Sequence, residues 1–132
     1  TQVPLPEGAT ALVYSRGSVP ATTLGMLQKG MTSVTAASKT TYTAVASDQI
    51  VVDTAANIVT ITLPATPAVG DEVTIMDGSA TGGFATNNCV VARNGSNIEG
   101  AASDDSLTVN NQCVTLIYAN ATKGWLYKST NQ

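Results

Sequence analysis

The chain has 132 residues and a net charge of −3, and it contains no histidine. The length fits a single domain, the negative charge argues against a nucleic-acid-binding surface, and the missing histidine removes the commonest general base and metal ligand. Only 11 % of the residues are charged, compared with roughly 25 % in an average domain, and Ser and Thr occupy 30 positions.

Residues 1–38 differ from the rest in composition and pattern, because they hold three of the five prolines and no helical or strand period persists in them. One short strand at 12–14 and one helical turn within 22–31 are the most that the pattern allows. The segment is too apolar for a typical disordered tail, so we expect an extended arm that orders against its own domain, a sister subunit or a larger assembly. The arm residues predicted to make these contacts are Leu5, Leu12, Val13, Tyr14, Leu24, Met26 and Leu27.

From residue 39 to 132 the pattern changes to short β-runs separated by turn residues. In the run 57–63, Val59, Ile61 and Leu63 alternate with threonines, and a period of two with β-branched residues predicts a strand. Pro64 ends this run. The predicted strands are 41–45, 49–53, 57–63, 72–77, 89–93, 96–100, 106–110, 112–119 and 124–128.

Turn residues suggest how these strands pair. Asn94-Gly95 suits a type I′ hairpin turn, so 96–100 is predicted to return along 89–93. The runs 106–110 and 112–119 are predicted to pair with each other, and the run 124–128 is predicted to pair back on 114–118. The whole pattern predicts an all-β fold, a compact antiparallel sandwich or barrel-like domain at 39–132 preceded by the arm at 1–38.

Candidate catalytic and metal-binding residues are few. Asp71-Glu72 and Asp104-Asp105 are adjacent pairs, and neighbours in a strand point to opposite faces, so solvated loop charge is favoured over a glycosidase dyad. The glycine-rich run 78–83 lacks the Lys-Ser/Thr ending of a phosphate loop and favours a flexible loop. Without histidine a zinc site is disfavoured, although a calcium site of carbonyl and Asp oxygens stays open. We predict no catalytic residue, no metal and no cofactor.

The cysteines and two aromatic residues carry the remaining site predictions. Cys89 and Cys113 lie in strand-like runs and are interpreted as small buried hydrophobes, with a single disulfide as the alternative. Trp125 and Tyr127 share a parity and so lie on one face of the last strand. Such a pair suits a core or subunit contact and would also suit a carbohydrate-binding platform, so we designate it the aromatic contact face.

The low charge also bears on assembly. Monomer surfaces are rich in Lys, Glu and Asp, whereas interface cores are depleted of them, so we expect an obligate oligomer, for which a closed trimer is plausible. No stretch approaches the ~18 apolar residues of a membrane span, and the N-terminus lacks the basic head and apolar run of a signal peptide. Thr1 is typical of a chain that has lost its initiator Met, so we expect a complete gene product.

An ordered set of motifs resembles a β-domain of tailed-phage virion proteins. The set consists of TITLP at 60–64, GDEVTIMD at 70–77, RNGSNIEG at 93–100 and a closing VTLIY…GWLY pair at 114–127. The resemblance covers roughly residues 40–128 and leaves the arm uncovered.

This resemblance implies a non-enzymatic virion protein, since such modules occur in tail fibres and in small capsid-attached decoration, cement or head-fibre proteins, commonly as trimers. A fibre shaft needs heptads or repeats, and neither is found here. We therefore expect a decoration protein on the capsid surface, with itself and the major capsid protein as partners and no nucleic-acid or membrane partner. The alternatives are a tail-fibre or tail-associated component, a receptor- or glycan-binding tip, and a host surface module.

Overall fold

A computed structural model describes residues 30–131, and nine β-strands but no helix are present in that range. Accordingly, these residues contain no helix of the length and apolarity that a membrane crossing requires. The all-β prediction is confirmed. The strands are β1 Met31–Thr35, β2 Thr41–Thr43, β3 Gln49–Asp53, β4 Val59–Thr62, β5 Glu72–Asp77, β6 Cys89–Ala92, β7 Asp105–Leu107, β8 Cys113–Asn120 and β9 Gly124–Asn131.

The strands form two sheets that face each other. Sheet A has the order β1-β3-β5-β8-β9, and sheet B has the order β2-β4-β6-β7. The chain changes sheet after each of its first five strands, so β1, β3 and β5 are parallel neighbours, as are β2, β4 and β6. Each pair of successive strands is therefore one coil of a flattened solenoid with three coils.

The first two coils are in close register, although the sequence shows no repeat. Val34 lies beside Val52 in sheet A, and Thr41 lies beside Thr60 in sheet B. Equivalent positions are thus 18 or 19 residues apart. What repeats is the backbone winding, because the side chains of the two coils share only an alternating pattern.

The last three strands close the fold with antiparallel pairs. β7 pairs with β6, while β8 pairs with β5 and β9. Both sheets are therefore mixed, whereas an antiparallel domain was predicted. The physical reason is the repeated crossing between sheets, since a chain that returns to the same sheet after a full coil runs parallel to its earlier strand.

The core lies between the two sheets and is built from one side of each strand. The predicted alternation is confirmed at Val59, Ile61 and Leu63, which have no exposed surface. Full burial of each such side chain contributes roughly 1.5–3 kcal/mol to stability. The core residues are Val34, Ala36, Ala44, Ile50, Val52, Val59, Ile61, Leu63, Val73, Ile75, Phe84, Cys89, Val91, Ile98, Leu107, Val114, Leu116 and Trp125.

Two predicted hairpins are wrong. Asn94 and Gly95 do have positive φ angles of 51° and 95°, as a type I′ turn requires. However, 96–100 is not a strand, because Ile98 makes only isolated bridges to Ala101 and Trp125. β6 pairs instead with β7, which leaves β8 in the opposite sheet rather than beside β7.

The β-domain also begins earlier than its predicted boundary at residue 39. β1 at Met31–Thr35 belongs to the segment assigned to the arm. Its alternation buries Val34 against the core and leaves Met31 and Ser33 exposed. The possible strand at 12–14 lies outside the described residues.

Gly124 is required by the close approach of two backbone segments, and this predicts a large cost for adding a methyl group. Gly95 and Gly124 both have positive φ, but a Cβ at Gly95 meets open space, whereas a Cβ at Gly124 would overlap the Asn97 backbone. We expect Gly95→Ala to lower the free energy of unfolding by about 1 kcal/mol and Gly124→Ala by at least about 3 kcal/mol. Urea unfolding of both variants checks this, and equal costs would contradict the close approach.

Candidate functional site

The predicted arm contacts cannot be placed in the fold. These seven residues, Leu5, Leu12, Val13, Tyr14, Leu24, Met26 and Leu27, lie outside the described residues. The site is therefore built from the aromatic pair, the loops and the outer faces of the two sheets.

Trp125 lies in the core and not on a contact face. The predicted shared side of Trp125 and Tyr127 is correct, but that side faces inward, and Trp125 has no exposed surface. Its ring meets the Tyr118 ring edge-on at 5.6 Å between centroids. The segment 97–100 runs along the start of β9, where the backbone N–H of Trp125 donates to the Asn97 carbonyl at 2.8 Å. A carbohydrate could not stack on this indole, so the aromatic contact face is corrected to a core contact.

Tyr127 connects the two sheets. Its hydroxyl donates to a carboxylate oxygen of Asp105 on β7, and its backbone N–H donates to Glu99 at 2.9 Å. Burial, the hydrogen bond to Asp105 and the charges of Asp105 and Glu99 all raise the pKa of Tyr127. The phenol therefore stays protonated at neutral pH and acts as a fixed donor between β9 and β7.

The adjacent acidic pairs stabilise turns and strand edges. Asp71 accepts the Ala68 N–H at 2.9 Å, and Asp104 accepts the Arg93 N–H at 2.9 Å. Glu72 forms an ion pair with Lys128 at 2.8 Å. Within residues 30–131, no group of three or more Cys, Asp or Glu side chains is arranged to hold a metal ion.

Asp77, at the end of β5, organises the long loop 78–88. Its carboxylate accepts the N–H groups of Ser79 at 3.0 Å, Phe84 at 3.1 Å and Asn111 at 2.9 Å. The first two bonds shape the loop, and the third connects it to the turn before β8. The sequence offered one signal for this role, since an Asp directly before Gly-Ser is typical of a side chain that accepts a backbone N–H two residues on.

Further hydrogen bonds fix the same loop to its neighbours. The Asn110 side chain accepts the Ala85 N–H at 2.9 Å, and the Asn87 amide donates to the Thr54 carbonyl at 2.9 Å. Phe84 anchors the loop in the core with no exposed surface. Thus the glycine-rich run interpreted as flexible is connected to both neighbouring turns, and sequence reasoning missed Phe84 as a core residue.

The hydrogen bonds around Asp77 also set its protonation. Burial raises the pKa of this carboxyl, but hydrogen bonds from the Ser79 hydroxyl and from the backbone outweigh that effect, so the net pKa is lowered from 3.8. The donated hydrogen bonds favour the charged form. The carboxylate is therefore ionised throughout the neutral range.

The two cysteines are free and lie in different sheets, so the alternative of a disulfide is not realised. Cys89 on β6 is buried as predicted, and burial followed by the nearby Asp77 charge raises the pKa of its thiol to about 12. Cys113 on β8 is only half-buried and points outward from sheet A. Of the two thiols, Cys113 is the one on the molecular surface.

The outer faces of the sheets are nearly free of charge. We call the outward residues of sheet A face A and those of sheet B face B. Face A comprises Met31, Ser33, Thr35, Gln49, Val51, Asp53, Glu72, Thr74, Met76, Cys113, Thr115, Ile117, Leu126 and Lys128. Face B comprises Thr41, Thr43, Thr60, Thr62, Val90, Ala92 and Ser106.

Charge is concentrated where the chain turns. Face B has no charged residue, and face A has three, of which Glu72 and Lys128 neutralise each other. The other nine charged residues of the described range lie in turns or point inward at strand ends. Depletion of charge is typical of the cores of protein interfaces, and both faces share it, but face B keeps the Thr and Ser residues that are usual on a solvated sheet face.

No protein-family model matches this chain, and no curated protein sequence matches it either.

Burial of Trp125 predicts that it is inaccessible in the folded protein. It is the only tryptophan, so acrylamide quenching of its fluorescence reports this position alone. We expect the quenching constant to rise several-fold on unfolding in urea, because the indole then leaves the core. Equal quenching of the folded and unfolded chains would show instead that Trp125 is exposed in the folded protein.

The Asp77 hydrogen bonds predict a specific loss of stability in Asp77→Asn. The amide cannot accept all three N–H groups, so we expect the free energy of unfolding to fall by about 2–3 kcal/mol. The matched control is Asp53→Asn, since Asp53 accepts only the Ala55 N–H and an amide oxygen can replace it at a cost of about 0.5 kcal/mol or less. Urea unfolding at neutral pH measures both variants.

The same network predicts how stability depends on pH. Because the folded pKa of Asp77 lies below its unfolded value, its contribution is complete above about pH 4 and is lost as pH falls through the folded pKa. We expect the stability difference between wild type and Asp77→Asn to shrink as pH is lowered below 4. A difference that stays constant down to pH 2 would contradict the assignment.

Proposed function

We propose that this chain is a non-enzymatic structural protein of a tailed-phage virion, which decorates and stabilises the assembled capsid as a cyclic homo-oligomer, most simply a trimer. The observation that carries the proposal is the charge distribution, with two sheet faces almost free of charge and the charges collected in turns. Proteins that hide much of their surface in an assembly have this composition. The motif resemblance over residues 40–128 supports the same class.

In this mechanism the arm and the β-domain have separate roles. The arm residues Leu5, Leu12, Tyr14, Leu24 and Leu27 bind apolar surfaces of assembled capsid subunits, and the β-domain associates with its own copies. Binding to the assembled lattice but not to free subunits stabilises the lattice by mass action, and several linked arms in one oligomer increase the overall affinity.

The winding of the chain favours a second candidate, a tail-fibre or tail-associated component. A solenoid grows by adding coils, and this chain has three coils with 18 or 19 residues between equivalent strands in the first two. A fibre shaft could be extended by further coils of this kind. A receptor- or glycan-binding role within the tail would depend on the loops, since Trp125 is buried.

The location on the particle separates these candidates. Gold-conjugated antibody against this chain, imaged by electron microscopy on purified phage particles, should label the head surface. Labelling confined to the tail would select the fibre alternative, and unlabelled particles would overturn both.

The role of the arm predicts a loss of capsid binding in the full-length double variant Leu12→Asp and Leu24→Asp. Each Leu contributes about 2 kcal/mol when buried, so we expect the affinity for assembled capsids to fall at least about 100-fold. The control is Leu12→Met with Leu24→Met, which keeps the apolar volume and should bind normally. Cosedimentation with purified capsids measures both, and unchanged binding by the Asp variant contradicts this mechanism.

A further inference from the structure

Face A differs from face B in its apolar content. Val51, Met76, Cys113, Ile117 and Leu126 are all half-buried and point outward from sheet A, and we call these five residues the apolar patch. Val90 is the one large apolar residue of face B, because most positions of face B are Thr or Ser. An exposed sheet face normally alternates to polar residues, whereas strands covered on both sides have apolar residues on both. β8, with the sequence CVTLIYAN, has apolar residues on both sides, as a strand covered on both sides does.

The patch consists of two apolar rows with a polar row between them. Val51, Met76 and Cys113 occupy one row across β3, β5 and β8. Ile117 and Leu126 occupy a second row across β8 and β9, which Glu72 continues on β5. The row between them contains Thr74 and Thr115, and their hydroxyl oxygens lie 3.0 Å apart in a hydrogen bond. This pairing lowers the cost of removing the middle row from water.

The charges and the area of face A suit a second copy of this chain. Glu72 on β5 and Lys128 on β9 form an ion pair that bridges β8 beside Ile117. Asp53 is then the remaining charge of face A, so two identical faces would meet with little like-charge repulsion. Five strands about 4.8 Å apart span roughly 24 Å, and an average strand of about six residues adds roughly 20 Å. This gives a footprint of roughly 500 Å² per copy, or roughly 1,000 Å² per pair, which reaches the lower limit of specific interfaces.

We propose that copies of this chain associate through face A, with the apolar patch of each copy turned toward the same patch of its neighbours around a common rotation axis. The proposal rests on the self-association included in the proposed function and assigns the surface that performs it. It leaves face B and the turns on the outside of the oligomer.

The test compares the full-length wild type with two variants that place the same charge on opposite faces. Met76→Lys introduces a cation whose cross-strand partners, Val51 and Cys113, carry no charge, and Thr60→Lys, on a half-buried position of face B, is the matched control. Burying an unpaired charge in an interface costs several kcal/mol, so we expect Met76→Lys to raise the dissociation constant at least about 100-fold. Light scattering coupled to size exclusion gives the mass of each protein.

An oligomeric wild type, a monomeric Met76→Lys variant and an oligomeric Thr60→Lys variant would support the proposal. A monomeric wild type overturns it, as does dissociation of the Thr60→Lys variant while Met76→Lys stays assembled. Virion labelling by antibody is independent of these masses, so a failure of the proposed function and a failure of this interface are distinguishable.

Cys113 provides a second measurement that does not depend on whether a variant folds. Its thiol lies in the patch, while Cys89 is buried in the core and serves as the internal reference. We expect maleimide to label Cys113 at least about tenfold faster when the wild type is diluted below its dissociation constant, since the interface then opens. Labelling that is equally fast at all concentrations would contradict the assignment of face A, and slow labelling of a monomer would show that another part of the chain covers it.

Discussion

The fold depends on one constraint, namely that each coil of the chain must bury its inward residues against the opposite sheet. A three-residue strand such as β2 or a four-residue strand such as β4 cannot be stable alone. It becomes stable because the crossing chain places Ile61 opposite sheet A and Ile50 opposite sheet B in one continuous core. The parallel pairing, the two rows of turns and the separation of charge from the sheet faces all follow from this winding.

At the antiparallel end of the fold, a side-chain hydrogen bond connects strands of the two sheets. Tyr127 and Asp105 connect the last strand of sheet A with the last strand of sheet B. The segment 97–100 covers the start of β9, and the Glu99 side chain accepts the Tyr127 N–H at that edge. An uncovered edge strand would offer free N–H groups to another chain, so this segment protects the start of β9 from such pairing.

Most strands could be predicted from the sequence, but among the predicted pairings only that of 124–128 with 114–118 is confirmed. The predicted runs 49–53 and 72–77 match β3 and β5 to the residue, because β-branched content and alternation depend only on which sides of a strand are buried. The pattern is the same whether the next strand joins the same sheet or the opposite one. Asn94-Gly95 therefore gave the correct turn geometry and the wrong pairing. Likewise, parity placed Trp125 and Tyr127 together without showing that their side faces the core.

The winding of the chain explains why long loops coexist with a small core. Each coil contributes two short strands to the core, so a longer coil differs only in the length of its turns. The entropic cost of closing a loop grows slowly with loop length. The longest connections, 78–88 and 93–104, flank β6 in the third coil, and the hydrogen bonds that the Asp77 and Asp104 carboxylates accept compensate for part of their ordering cost. In an oligomer closed through face A these two loops and face B lie outermost, and contacts with a further partner then depend on loop residues that the core does not constrain.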